Sequence, residues 1–122
     1  AQNLLNRYGR DVNGIFTPNE NTTIGMTKAL RDLGKGGGKV KMVGFDANAQ
    51  SLLDLKQNDL QGIVVQSPFR MGYDGTRAVM KHLQGQPVEK RIDTGVTLVT
   101  LDNLAQPAIQ ELVRPPLDKY LK

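Results

Sequence analysis

Apolar positions follow two spacings along the chain, and the spacing switches at glycine, proline and asparagine. Leu4, Leu5 and Tyr8 lie a helical turn apart and Gly9 stops the run, which predicts a short opening helix. "NGIFTP" (13–18) is a short apolar run closed by Pro18 and predicts a strand. In 19–34, Asn19 and Asn21 offer caps, Ile24, Met26, Ala29, Leu30 and Leu33 recur at helical steps, and Gly34 ends the helix. "KVKMVGF" (39–45) predicts a second strand, "ANAQSLLDLKQ" (47–57) a short helix on Leu52, Leu53 and Leu55, and "LQGIVVQ" (60–66) a third strand. A longer helix over 68–85 has Pro68 in its first turn, with Phe69, Tyr73, Thr76, Val79, Met80 and Leu83 at steps of three and four. Gly72 and Gly75 weaken it by about 1 kcal/mol each relative to Ala. "DTGVTLVTL" (93–101) alternates as a fourth strand, with Val96, Leu98 and Thr100 on one face. The proline-rich tail from 102 reads as irregular, with a helical turn near Ile109 to Leu112.

This alternation of helix and strand predicts an α/β fold with a parallel sheet and helices on its faces. Strands that are mostly apolar fit a sheet covered on both sides. The composition, 39% apolar and 23% charged, is that of a globular rather than a disordered chain. The surplus of 16 Lys and Arg over 12 Asp and Glu is scattered, so no nucleic-acid surface is expected from this segment. The absence of cysteine excludes thiol chemistry, disulfides and zinc–cysteine sites. A single histidine, His82, gives no basis for a His-based metal site or a catalytic triad, and reads as a partly exposed helix residue. No apolar run approaches the roughly 20 residues that span a bilayer. The chain opens at Ala1 without Met or a signal peptide, directly on a helix, and reads as a piece of something longer.

The glycines at 34, 36, 37 and 38 raise the possibility of a phosphate loop. Such loops run from strand into helix, so that the anion meets free N–H groups at the helix start. This run goes from helix to strand, and its spacing matches neither dinucleotide nor P-loop patterns. Gly34 reads as a helix C-cap and the rest as a flexible turn.

The opposite ends of the strands are more informative. The strands end at Asn19, Asp46 and Gln66, and in a parallel sheet these ends share the carboxyl edge, where open α/β sheets bind ligands. An amide, a carboxylate and a second amide form an inventory suited to neighbouring hydroxyls, as on a sugar. Helix capping is the alternative. It accounts for Asn19 and fits Asp46, but Gln66 is a poor cap.

"GIFTPNENTTIGMTKALRDLG", "VKMVGFDAN" and "LQGIVVQSPFRMGYDGTRAVMKHLQGQPV" together resemble the C-terminal portion of type I periplasmic sugar-binding proteins of the ribose-binding kind. A strand ending in Asn, a "VGFD" strand and a "VVQ-x-P" strand leading to a helix with "GY" occur in that order, and the resemblance covers residues 1 to 101. It implies two three-layer parallel-sheet lobes joined by hinge strands, incomplete in this chain. Residues 1–66 would belong to the C-terminal lobe, 67–94 to the other lobe, and 95–122 to a returning hinge strand and tail. Asn19, Asp46 and Gln66 match positions that hydrogen-bond sugar hydroxyls. The first-lobe residues that stack on the sugar ring would lie outside the chain.

The implied protein is a periplasmic or extracytoplasmic sugar receptor, not an enzyme, serving a membrane ABC permease without cofactor or metal. The alternative is the effector domain of a lactose-repressor-type regulator, which resembles this fold closely. A response-regulator phosphoacceptor at Asp46 would need an acidic pair on the preceding strand, where only Glu20 is on offer. The apolar face of the helix at 68–84 would lack a sheet of its own, so it is expected to need the missing N-terminal half or a second copy of the chain. Tyr8 and Tyr73 read as core residues rather than sugar-stacking ones.

Overall fold

The computed structural model describes residues 1–119 and 121. In chain order it contains α1 (Gln2–Tyr8), β1 (Gly14–Phe16), α2 (Glu20–Asp32), β2 (Lys41–Phe45), α3 (Ala49–Lys56), β3 (Gly62–Gln66), α4 (Pro68–Leu83), β4 (Val96–Val99), α5 (Pro107–Val113) and a 3-10 turn at Leu117–Lys119. The α/β class read from the alternation holds. One sheet has the strand order β1-β2-β3-β4, with β1–β2 and β2–β3 parallel.

Three elements differ from expectation. The helix expected from 47 begins at Ala49, because Asn48 forms its cap. The fourth strand is shorter than 93–101. Asn103 accepts from the Thr100 N–H and donates to the Leu98 carbonyl, which ends the ladder, and the face bearing Val96 and Leu98 is exposed while Val99 is buried. The tail is more regular than expected: Pro107 starts α5, and Ile109 anchors it in the core. Tyr120 and Lys122 of that tail lie outside the described residues.

The chain divides into two units, Ala1–Val65 with the chain from Leu98 onward, and Gln66–Thr97. The core of the first contains Leu30, Met42, Leu55, Leu60, Ile63 and Val99, all fully buried. Each such side chain contributes about 1.5–3 kcal/mol by leaving water. Met42 and Gly44 face α2. The Thr27 hydroxyl meets the Met42 sulfur at 3.6 Å, and a Cβ on Gly44 would lie 2.4 Å from Cγ2 of Thr23. Glycine at 44 is therefore what lets α2 approach β2 this closely.

The glycine run is the helix-to-strand turn, and it is tied down rather than flexible. Gly34 takes a left-handed φ of 65°, its N–H donates to the Arg31 carbonyl, and the Lys35 N–H donates to that of Leu30. The Gly37 N–H donates to Oδ1 of Asp59 at 2.6 Å. The Arg31 guanidinium binds both Asp54 and Asp59, and Gln50 also donates to Asp54. Burial alone would push the Asp59 carboxyl up, but Arg31 and the Gly37 N–H outweigh it and hold the group below its ordinary range. Arg31 is in turn held above its ordinary value, chiefly by its hydrogen bond to Asp59.

In the second unit, Ser67 caps α4 and Arg70 pairs with Asp74 one turn on. No residue of α4 is buried. Phe69 and Tyr73 stack with ring centroids 6.4 Å apart, and the Arg77 guanidinium lies 5.5 Å from the Tyr73 centroid. Tyr8 and Tyr73 are not core residues, being 50% and 53% exposed. Leu5 is the residue that α1 buries, and each tyrosine ring instead meets a neighbouring arginine.

Candidate functional site

Beyond β1 the chain turns through Thr17 and Pro18 to Asn19, whose extended backbone starts α2. Asn19 Oδ1 accepts from the Thr22 N–H and the Thr22 hydroxyl, both at 3.0 Å. The capping role thus uses the amide oxygen. The exposed Nδ2 has no hydrogen-bond partner among the described residues. Asn21, the other candidate cap, lies inside α2.

Asp46 follows β2 directly. Its backbone is left-handed, with φ 62°, and its N–H donates to the Val64 carbonyl at 2.9 Å. This conformation costs an L-residue about 1–2 kcal/mol, although Asp tolerates it better than most. The capping explanation for Asp46 does not apply. Asn48 caps α3, accepting from the Ser51 N–H at 2.7 Å while its own N–H donates to the Ser51 hydroxyl at 2.9 Å. The Asp46 carboxylate is half-buried and accepts no hydrogen bond from any described residue. A strained backbone that presents an unengaged carboxylate is a feature of ligand sites.

Gln66 is the last residue of β3 and is half-buried, and its side-chain amide makes no hydrogen bond to a described residue. The parallel pairing places the ends of β1, β2 and β3 on one edge of the sheet. Asn19, Asp46 and Gln66 all follow or close these ends.

Two further features of this edge escape a reading of polar strand ends. Phe16 and Phe45 meet edge to face, with centroids 6.4 Å apart, and Phe16 is 59% exposed. Their signal was available, since each stands shortly before one of the polar candidates. The other is a set of ties between α2 and the end of β2. The Thr23 hydroxyl joins Asn19 to Phe45, and Asn48 Nδ2 donates to Glu20 at 2.6 Å. Among the described residues no group of three or more His, Cys, Asp or Glu side chains is placed to hold a metal ion. No described helix is long and apolar enough to cross a membrane.

Comparison with known proteins places this architecture. The family profile described as periplasmic binding protein domain matches residues 1–87. The ribose import binding protein RbsB of Bacillus subtilis is 30% identical over 99 residues, covering 81% of this chain and 31% of that protein. A solute-binding protein of an ABC transporter from Agrobacterium vitis, solved with bound D-fucose, is 38% identical with a TM-score of 0.83, over 92% of this chain and 38% of that one. A carbohydrate transporter solute-binding protein from Agrobacterium radiobacter, solved with D-arabinose, is 36% identical with a TM-score of 0.81, over 91% and 37%. The chain thus spans about a third of the length of these curated and solved relatives. The relatives are named as a ribose import binding protein and as solute-binding proteins of transporters, and the regulator reading is not favoured. By the profile match, which takes in well over half of its residues, the chain belongs to the family of periplasmic binding protein domains, among type I relatives of the ribose-binding kind.

Proposed function

We propose that this chain is the C-terminal portion of a non-catalytic solute receptor that holds a sugar, a pentose or a hexose, between two lobes for uptake through a membrane ABC permease. The receptor works outside the cytoplasm, in the periplasm or its equivalent. In this reading residues 1–66 belong to one lobe, 67–94 to the other, and 95–122 to a returning strand and tail. The observation that carries it is the half-buried Asp46 carboxylate at the carboxyl edge, which accepts no hydrogen bond from any described residue.

Asp46 accepts hydrogen bonds from neighbouring sugar hydroxyls, which are donors and acceptors at once. Asn19 donates through Nδ2, and the Gln66 amide both donates and accepts. The Phe16–Phe45 pair offers an apolar surface to the C–H face of a sugar ring. A relative named for ribose import and relatives solved with D-fucose and D-arabinose support a pentose or a hexose as ligand. The exposed row of α4, with Phe69, Tyr73, Val79, Met80 and Leu83, packs in the receptor against a further part of the protein or a second copy. Sedimentation of the 122-residue chain alone should then show self-association, and a well-folded monomer would speak against that packing.

The experiment is titration calorimetry of the full-length protein with D-ribose, D-arabinose, D-fucose and D-glucose. Saturable binding of at least one sugar at a single site is expected. Binding of none would contradict the reading.

A further inference from the structure

We propose that Thr23 is a positioning residue of this site, whose buried hydroxyl fixes the end of β2 against the first turn of α2 and so sets Asp46 beside Asn19. The inference rests on the sugar reading of that edge. Thr23 is 1% exposed. Its Oγ1 lies 2.8 Å from the Asn19 carbonyl oxygen, 3.1 Å from the Phe45 backbone nitrogen and 2.8 Å from the Thr17 hydroxyl. A hydroxyl has one proton and two lone pairs. It donates to Asn19 and accepts from Phe45 N–H and from Thr17, so its capacity is fully used.

The chain context explains why these bonds fall to a side chain. The ladder between β1 and β2 begins where the Lys41 N–H donates to the Asn13 carbonyl. Two residues per step, that series reaches the Phe45 N–H where β1 has already turned away at Pro18. The Thr23 hydroxyl supplies the acceptor that the strand no longer offers. Its other branch lies over Gly44, where a Cβ would stand only 2.4 Å from Cγ2. Both branches are therefore fitted to the two residues before Asp46. Thr27, one turn later, gives the contrast. It donates back to the Thr23 carbonyl at 2.8 Å as a helical threonine does, and its other contact is the Met42 sulfur. Beyond Asp46, Asn48 is tied to Glu20 on the same turn of α2. The left-handed Asp46 thus sits between two tethers to α2, of which Thr23 is the buried one.

The test is a double-mutant cycle in the full-length protein, titrated with whichever of D-ribose, D-arabinose and D-fucose binds the unsubstituted protein tightest. Thr23→Val should weaken binding about tenfold, equivalent to about 1.4 kcal/mol. Thr23→Ser, which keeps the hydroxyl, should stay within about twofold. In an Asp46→Asn background the effect of Thr23→Val should shrink to about threefold or less, because the group it positions has lost its charge. A purely structural threonine would lower the melting temperature yet leave affinity unchanged, or weaken it equally in both backgrounds, and either result overturns the proposal. If Thr23→Val does not fold, Thr23→Ala is judged by the same criteria. Unchanged affinity in Asp46→Asn alone would instead refute the site reading, and the two failures are thereby told apart.

Discussion

Asp46→Ala in the full-length protein is expected to weaken sugar binding by about tenfold to a hundredfold. The substitution removes a charged acceptor whose hydrogen bonds contribute about 1.5–3 kcal/mol. Asn19→Ala and Gln66→Ala remove neutral partners and should cost about 0.5–1.5 kcal/mol of affinity each. Asn19→Ala should also lower stability by about 1 kcal/mol, since Asn19 caps α2. Asp46→Gly separates binding from folding most clearly. Glycine adopts the left-handed backbone without a Cβ penalty, so the melting temperature should hold or rise while affinity falls. Calorimetric titration and thermal unfolding of the same samples measure both quantities. Undiminished affinity in Asp46→Ala would remove Asp46 from the site.

The largest expected loss of stability follows Arg31→Ala. Its guanidinium is the charge partner of two carboxylates, with side-chain exposures of 2% for Asp54 and 10% for Asp59. Removing one member of a fully buried ion pair costs about 3–5 kcal/mol. Arg31 is itself about a third exposed, and Gln50 and Gly37 still donate to the aspartates, so about 2–3 kcal/mol is expected at neutral pH. The acid response has a definite sign. Asp59 has its carboxyl pKa lowered by folding, so its contribution is present above the ordinary carboxylate value, about 4. That contribution is lost as the pH falls through the depressed folded value. The unsubstituted protein should therefore lose stability as the pH falls below about 4, and Arg31→Ala should lose less there. Denaturant unfolding at pH 7 and at pH 3.5, both approximate settings, checks both statements. Equal stability of the two proteins at neutral pH would contradict the role given to Arg31.

Much of the fold was legible because its signals are local. Helical and strand spacings marked the alternation, and Asn19 and Gly34 marked both ends of α2. The start of α3 was less legible, because Asp46 and Asn48 both suit a cap and the deciding residue is Ser51, three positions past Asn48. Tyr8 and Tyr73 were misread because helical spacing says which residues share a face, not what covers it. For the candidate site, strand direction alone put Asn19 and Asp46 just past the ends of neighbouring parallel strands and Gln66 at the end of β3. The tether from Thr23 to Phe45 spans 22 residues, as does the one from Gly37 to Asp59. In sequence, a threonine inside a helical stretch and an aspartate after a helix are unremarkable. Only the approach of α2 over Gly44, and of the glycine turn over Asp59, turns them into structural ties.

The most direct test of the central claim is a crystal structure of the full-length protein with its tightest-binding sugar. The account predicts sugar hydroxyls at hydrogen-bond distance from the Asp46 carboxylate, with Asn19 Nδ2 and the Gln66 amide on neighbouring hydroxyls. A sugar bound elsewhere, with the Asp46 carboxylate facing only water, would contradict it.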